Sequence, residues 1–287
     1  MSEPSDGRLP IEQPGFSYLP RFITNEEAGA LIAYFASLNP MWERRHVDDA
    51  SARGAGHNRR LTRPVYWLGA WQFACLGYYA EPDHREHRCL SGEPFPKIID
   101  GILERLVPTL AKDHVWPDRD AGEPTLPNTC LVNYYGREVS EQNPPRDYAR
   151  LRMHRDGEPG PVIMFNIGQP GLFEFLDPDR SREPEVALWT RHRSVTIISG
   201  PEFKDRLYHL VSAVRTGREP RMECRVPNFE LRRVSVSFRH VPTELVQDLG
   251  EFPAQRRDAI VGYVKELAET SEHYQRQLAS VNDAAER

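Results

Sequence analysis

Cysteine is scarce in this chain. There are four in 287 residues (Cys75, Cys89, Cys130 and Cys224), and none forms a C-x-x-C pair. That spacing excludes a zinc ribbon or a disulfide scaffold and makes a reducing compartment, the cytoplasm, the expectation. Long apolar runs are missing as well. The longest uncharged apolar run, residues 65–80, is 16 residues long and contains Gly69, Gln72 and Gly77, short of the ~20 that cross a bilayer. Met1 to Asp6 are polar and acidic, without the basic-then-apolar order of a secretory signal. Positive charge is in deficit: 37 Lys and Arg face 42 Asp and Glu, for a net charge of −5. This balance argues against holding nucleic acid by bulk charge and leaves a local basic patch open. Internal repeats and low-complexity tracts are absent.

With 39% hydrophobic and 28% charged residues, the chain reads as one soluble globular domain. Residues 1–15, with three prolines and two glycines, are expected to form a mobile arm. Residues 16–127 form an N-terminal region. In it Thr24-Asn25-Glu26-Glu27 opens a capped helix reaching about Leu38. Residues 41–64 are charged and irregular. Residues 65–80 concentrate Tyr66, Trp67, Trp71, Phe73, Tyr78 and Tyr79. A second amphipathic helix starts at Pro96 and ends near Lys112. Over 128–245 the pattern changes to short runs bounded by Gly and Pro (129–135, 162–167, 172–176, 194–198, 233–239), the signature of a β-sandwich or barrel. The tail, 246–287, turns helical after Pro253. Its apolar stripe (Ile260, Val264, Leu267, Tyr274, Leu278) suits packing on its own domain better than on a second copy, so a monomer is favoured.

Two histidines and a carboxylate on one side of a metal suit non-haem Fe(II) oxygen chemistry. An H-x-D on a strand places both side chains on one face. His154-Arg155-Asp156 fits this, but His46-Val47-Asp48 and His84-Arg85-Glu86 have similar spacing, so spacing alone does not choose. The segment 233–239 narrows the choice. Arg233, Ser235, Ser237 and Arg239 share one face of a strand, and Val234, Val236 and Phe238 share the other. Two guanidiniums with two hydroxyls make an anion site, since Arg forks pair with carboxylates; the plainer alternative is a solvated polar face. His209, in Leu207-Tyr208-His209-Leu210, stands where a third ligand belongs. His84, His87 and Cys89 offer another grouping, read as a surface loop because no companion pair stands at zinc-finger spacing.

Five segments in order carry a family resemblance: Cys130-Leu131-Val132-Asn133-Tyr134-Tyr135, His154-x-Asp156, Asn166-Ile167-Gly168-x-Pro170-x-Leu172-Phe173-x-Phe175, Tyr208-His209 and Arg233-x-Ser235-x-Ser237-x-Arg239. Over about 128–240 the chain resembles the AlkB-like Fe(II)/2-oxoglutarate dioxygenases. The resemblance implies an α+β, mainly β fold: a double-stranded β-helix of jelly-roll or cupin type, flanked by N-terminal helices and a C-terminal helix. It implies that His154, Asp156 and His209 bind Fe(II), with 2-oxoglutarate and O2 as co-substrates. Asn133 and Tyr135 would hydrogen-bond 2-oxoglutarate. Arg233 would grip its distal carboxylate, with Ser235 and Ser237 beside it, and Arg239 would lie near the carboxylate that chelates iron. Trp71 and Tyr78 fall in a segment resembling the family's substrate lid, where aromatics stack on the target base; ordinary core packing is the alternative for each.

The pattern departs from the family in three places. Ser235 and Ser237 stand where the family strand carries Asn and Thr. Tyr135 and His154 are farther apart than usual, and the excess, roughly 137–150, reads as a polar loop with Pro144-Pro145 beside the site. Glu158 takes the place of the family's acidic residue two positions after H-x-D and either meets substrate or ends the strand. The implied reaction is oxidative removal of N-alkyl groups from nucleobases in DNA or RNA. Residues 191–240 give modest support, with eleven Arg and Lys against five Asp and Glu. The alternative keeps the chemistry and moves it to a small molecule, a natural product or a protein side chain.

Overall fold

Residues 162–168, Val-Ile-Met-Phe-Asn-Ile-Gly, form a strand buried from end to end. A strand buried on both faces needs a layer on each side, and this requirement organises the molecule. The computed structural model describes residues 5–46, 58–78, 88–114, 126–139, 146–147, 150–177, 179, 183–215, 217 and 219–285.

The N-terminal half contributes strands β1 (Ile11–Gln13), β2 (Phe16–Leu19), β3 (Arg44–His46), β4 (Asn58–Arg60), β5 (Val65–Leu68), β6 (Ala70–Gln72) and β7 (Cys89–Ser91). After these come β8 (Thr129–Glu138), β9 (Arg146–Asp147), β10 (Leu151–His154), β11 (Val162–Gly168) and β12 (Gly171–Leu176). The last are β13 (Val186–Thr190), β14 (Ser194–Ile198), β15 (Tyr208–Val214), β16 (Phe229–Arg239) and β17 (Val246–Gln247). The major sheet runs β1-β2-β14-β11-β16-β8-β5, with β9 paired to β8; the minor sheet runs β10-β15-β12-β13. These two antiparallel sheets form the double-stranded β-helix core. Val162, Met164 and Ile198 of the major sheet pack with Phe173, Phe175 and Val211 of the minor one. Ile163, Phe165, Ile167, Val234, Val236 and Phe238 face the opposite way, into the core shared with the helices.

Four helices cover that outer face: α1 (Asn25–Ser37), α2 (Lys97–Asp113), α3 (Ala254–Ala268) and α4 (Glu272–Ala285). Thr24 closes the expected capping box with Glu27. The C-terminal stripe packs on its own domain, with Ile260, Val264, Leu267 and Tyr274 fully buried. It does so as two helices where one was expected. Ser271 begins the second, its Oγ accepting from the Tyr274 N–H at 3.5 Å, the interaction an N-cap supplies.

Two expectations about irregular segments are corrected. The N-terminal arm is part of the sheets from Ser5 onward. The Ser5 N–H donates to the Ala187 carbonyl and Ser5 accepts from the Trp189 N–H, both at 2.9 Å, while β1 pairs with β2. Gly7 makes the approach feasible: its φ is +66°, and a Cβ there would lie 1.9 Å from the Trp189 oxygen. Edge pairing through the backbone leaves no hydrophobic pattern to read. Second, the polar insertion is partly a hairpin. β8 runs on to Glu138, and β9 returns against it at Arg137↔Asp147; residues 140–145 lie outside the described residues. Among the described residues, no helix is long and apolar enough to cross a membrane.

Candidate active site

Antiparallel pairing of β10 and β15 brings the two histidines together. His154 and His209 are direct cross-strand partners, with ring centroids 4.3 Å apart. Asp156 lies two residues past His154, beyond the end of the strand rather than on it, and still turns back to the pair. Its Oδ2 is 3.3 Å from His209 Nε2. One donor atom from each of the three residues falls within 4.8 Å of the others, the only such group of His, Cys, Asp or Glu among the described residues. His84 and His87 lie outside the described residues, and Cys89 is buried in β7.

The protonation chemistry suits a metal. His154 Nδ1 sits 2.9 Å from the Arg152 carbonyl, which can only accept, so Nδ1 carries the hydrogen and Nε2 keeps its lone pair. Burial, with His209 beside it, pushes the His154 pKa down to about 3, so the ring is neutral near pH 7. Burial would raise the Asp156 carboxyl, but Arg239 and the two histidines hold it well below the usual carboxylate range. Arg239 donates to Asp156 Oδ1 from Nε (3.0 Å) and Nη2 (2.5 Å). Asp156 Oδ2 and His209 Nδ1 are buried with no hydrogen-bond partner. Oδ2 faces His209 Nε2 without bonding to it. Two neighbouring donors of one metal stand about 3 Å apart, so the separation fits an ion that both would ligate.

β16 crosses the floor. Arg233, Ser235, Ser237 and Arg239 all line one cavity of about 1260 Å³ with His154, Asp156 and His209. Their Val and Phe neighbours enter the helical core, so the alternation read from the sequence holds, although the polar face is enclosed rather than solvated. The Arg233 guanidinium is 2% exposed and its partners are neutral. Nη1 donates to the Gln169 and Thr190 carbonyls at 3.1 Å, and Nη2 to Thr190 Oγ1 at 2.9 Å and to Asn166 Oδ1. Nε is buried and unpartnered, and burial lowers the pKa to about 10. Gly171 leaves the guanidinium room: a Cβ there would lie 3.0 Å from its Cζ.

A buried cation with no counter-ion, beside three convergent metal-type donors, is a receptor for an anion next to a metal. The 2OG-Fe(II) oxygenase superfamily model matches residues 15–239. The chain belongs to that superfamily. Among solved structures, OsALKBH1 is similar at 16% identity and a TM-score of 0.52, covering 80% of this chain and 100% of its own. A 2OG-Fe(II) oxygenase family oxidoreductase from Burkholderia pseudomallei aligns at 15% identity and a TM-score of 0.42, covering 78% of this chain and 84% of its own. Comparison with curated proteins yields no match. As an oxygenase of this superfamily, the protein uses Fe(II), 2-oxoglutarate and O2.

The other expected site residues divide. Tyr135 lines the oxygenase cavity, buried, and its hydroxyl makes no hydrogen bond to the described residues. Asn133 also lines it, but its polar atoms are engaged: Oδ1 accepts from Arg63 Nε at 2.6 Å, and Nδ2 donates to the Leu131 and Ser235 carbonyls. Tyr78 is half-buried on the cavity wall, 5.0 Å from the Trp67 ring and 5.9 Å from the Arg239 guanidinium. Glu158 lines the cavity too, accepting from Gln72 Nε2 at 3.2 Å and lying 3.5 Å from Arg239 Nε.

Trp71 is a correction. It is fully buried between Tyr66, Phe73 and Tyr274, away from the cavity, and donates its indole N–H to Glu43 Oε1 at 2.5 Å. Burying an indole N–H requires an acceptor. Glu43 supplies it from a segment that reads as irregular, and also accepts from the Ala74 N–H at 2.7 Å. Burial raises the Glu43 carboxyl to about 7. Sequence reasoning also missed Arg63, Asn166, Thr190 and Lys204 as site residues. Only Asn166 carried a signal, inside the Asn166-Ile167-Gly168 motif.

These shifts make the metal-free oxygenase sensitive to acid. Burial likewise lowers His192, which accepts the Gly168 N–H, to about 4. Unfolded histidines bind protons near pH 6.5 while these two resist to about 3 and 4, so stability falls as pH drops through that window. Glu43 acts oppositely between about pH 7 and 4.5. The net expectation is a loss of about 1–3 kcal/mol between pH 7 and 4.5, read from urea midpoints; equal midpoints would contradict it.

Proposed function

We propose that this oxygenase removes N-alkyl groups from nucleobases in DNA or RNA, with His154, Asp156 and His209 holding Fe(II) and Arg233 anchoring 2-oxoglutarate. The observation that carries the reading is charge. The cavity is lined by eight Arg and Lys against three Asp and Glu, in a chain whose net charge is −5. Arg233 and Arg239 serve the keto acid and Asp156. Arg60 pairs with Glu138, Arg63 donates to Asn133 and Arg88 to the Gly77 and Tyr78 carbonyls, so these three add positive charge to the wall from fixed positions. Arg152 and Arg155 are exposed at the rim, where phosphates would meet them. Tyr78 offers a ring for a base turned out of its stack. The five ordered motifs of the AlkB-like pattern support the same substrate class.

When bound, Fe(II) supplies the oxidation of a substrate C–H bond coupled to conversion of 2-oxoglutarate into succinate and CO2; on an N-methyl the hydroxylated product releases formaldehyde and the bare amine. The protein's own contribution is positional. His154 presents a bare Nε2, Arg239 keeps Asp156 ionised and oriented, and Arg233, with the free Tyr135 hydroxyl, receives carboxylate oxygens. The test is succinate and formaldehyde release from methylated oligonucleotides with Fe(II) and 2-oxoglutarate. We expect the two products in equal amounts, with oligonucleotide affinity falling steeply as salt rises. Coupled turnover with low-mass metabolites or protein, and none with oligonucleotides, would assign the enzyme to the alternative substrates.

A further inference from the structure

One polar group in the cavity has no part in holding the metal or the keto acid. Lys204 sits in a π-helical turn, Pro201–Arg206, that follows β14 and forms a wall of the cavity. Its side chain is 7% exposed. The ammonium donates to the Glu158 carbonyl and makes no other hydrogen bond among the described residues. An ammonium has three donors, so two make no bond to the described residues on the buried wall of an open cavity. Burying them unpaired is costly, and an acceptor on a bound substrate would satisfy them.

The surroundings say what kind of substrate this is. The obvious attraction for a cationic base is the Glu158 carboxylate, but its Oε1 accepts from Gln72 and its Oε2 faces Arg239. Asp156 is likewise engaged by Arg239. A positively charged alkyl base would find both of these carboxylates already engaged by Arg239, with Asp205, next to Lys204 in the chain, the remaining carboxylate of the lining, and would enter beside Lys204, Arg239 and Arg63. A neutral base with a ring carbonyl next to the alkylated nitrogen would meet the same cations with an acceptor.

We infer that Lys204 is a specificity-determining residue, selecting neutral, carbonyl-bearing N-alkyl nucleobases over cationic ones through its unused donors. The inference deepens the nucleobase reading and rests on it. Its charge is opposite to that of Glu158, the acidic residue that the H-x-D motif offers for the substrate and whose carbonyl it holds.

The test uses the full chain loaded with Fe(II) and 2-oxoglutarate. Two oligonucleotides of one sequence carry either N3-methylthymine, neutral with a carbonyl on each side, or N3-methylcytosine, cationic at neutral pH. We expect kcat/KM to favour the thymine lesion at least tenfold. Lys204→Met collapses that ratio toward one, and Lys204→Arg, which keeps donors and charge, retains most of it. Fluorescence anisotropy with Mn(II) in place of iron reads the same preference as binding, and 2-oxoglutarate affinity by calorimetry reports whether each variant keeps its fold. Preference for the cationic lesion, or an unchanged preference in a folded Lys204→Met variant, overturns the inference and leaves the nucleobase assignment standing. Turnover of neither oligonucleotide, with coupled turnover of another substrate class, overturns both.

Discussion

Asp156→Ala is expected to reduce turnover by at least a thousandfold and to destabilise the metal-free protein by about 3–5 kcal/mol. The two losses have different causes. The first follows from removing one of three convergent donor atoms, since two histidines alone do not complete the facial set suited to iron. The second follows from Arg239. Its guanidinium is 3% exposed, and Asp156 is its closest counter-ion, at 2.5 Å. Glu158, at 3.5 Å, is shared with Gln72. Deleting the Asp156 carboxylate strands a buried cation, the costliest way to break a buried pair. Asp156→Asn keeps an acceptor for Arg239 and should cost less stability while losing comparable activity. Urea unfolding of both variants without iron, set beside their Fe(II) affinities, separates the effects. Equal stabilities of the Ala variant and the parent would show that Arg239 finds another partner.

Arg233→Met is expected to show the reverse balance. Arg233 has no carboxylate near it, only carbonyl, amide and hydroxyl oxygens, and one of its nitrogens is orphaned. Burial disfavours its charged form. Replacing an uncompensated buried cation by an apolar side chain of similar length removes that desolvation penalty while leaving acceptors such as Asn166 Oδ1 unpaired. The two effects nearly offset, so metal-free stability should change by no more than about 1–2 kcal/mol. Affinity for 2-oxoglutarate should fall at least a hundredfold, about 2.7 kcal/mol, because the cation that would pair with the distal carboxylate is gone. A thermal-shift titration reads both quantities. The parent gains about 2.7 kcal/mol at a hundredfold excess of 2-oxoglutarate over Kd, and the variant gains little at the same concentration. A variant that still responds to the keto acid would move the anchor elsewhere in the cavity.

Much of this arrangement was legible before any coordinates, because alternation along a strand is a local property. Arg233, Ser235, Ser237 and Arg239 had to share a face, and Val234, Val236 and Phe238 the other; the strand retains both sets. Thr24 and Glu27 lie three residues apart, so their capping box depends on nothing distant. The histidine pair needed more. Their sequence separation carries no distance, and the pairing of β10 with β15 brings the rings to 4.3 Å.

Trp71 shows where local reading ends. An aromatic in a cluster of aromatics looks the same whether it lines a cavity or fills a core. The carboxylate of Glu43, twenty-eight residues away, and Tyr274 from the C-terminal helices decide in favour of the core. Lys204 was one basic residue among eleven in its region, and only the turn that buries it beside Glu158 sets it apart. Composition, face and cap come from neighbours along the chain. Burial, counter-ions and orphaned donors belong to groups from distant segments, and those assemble only once the sheets and helices close on one another.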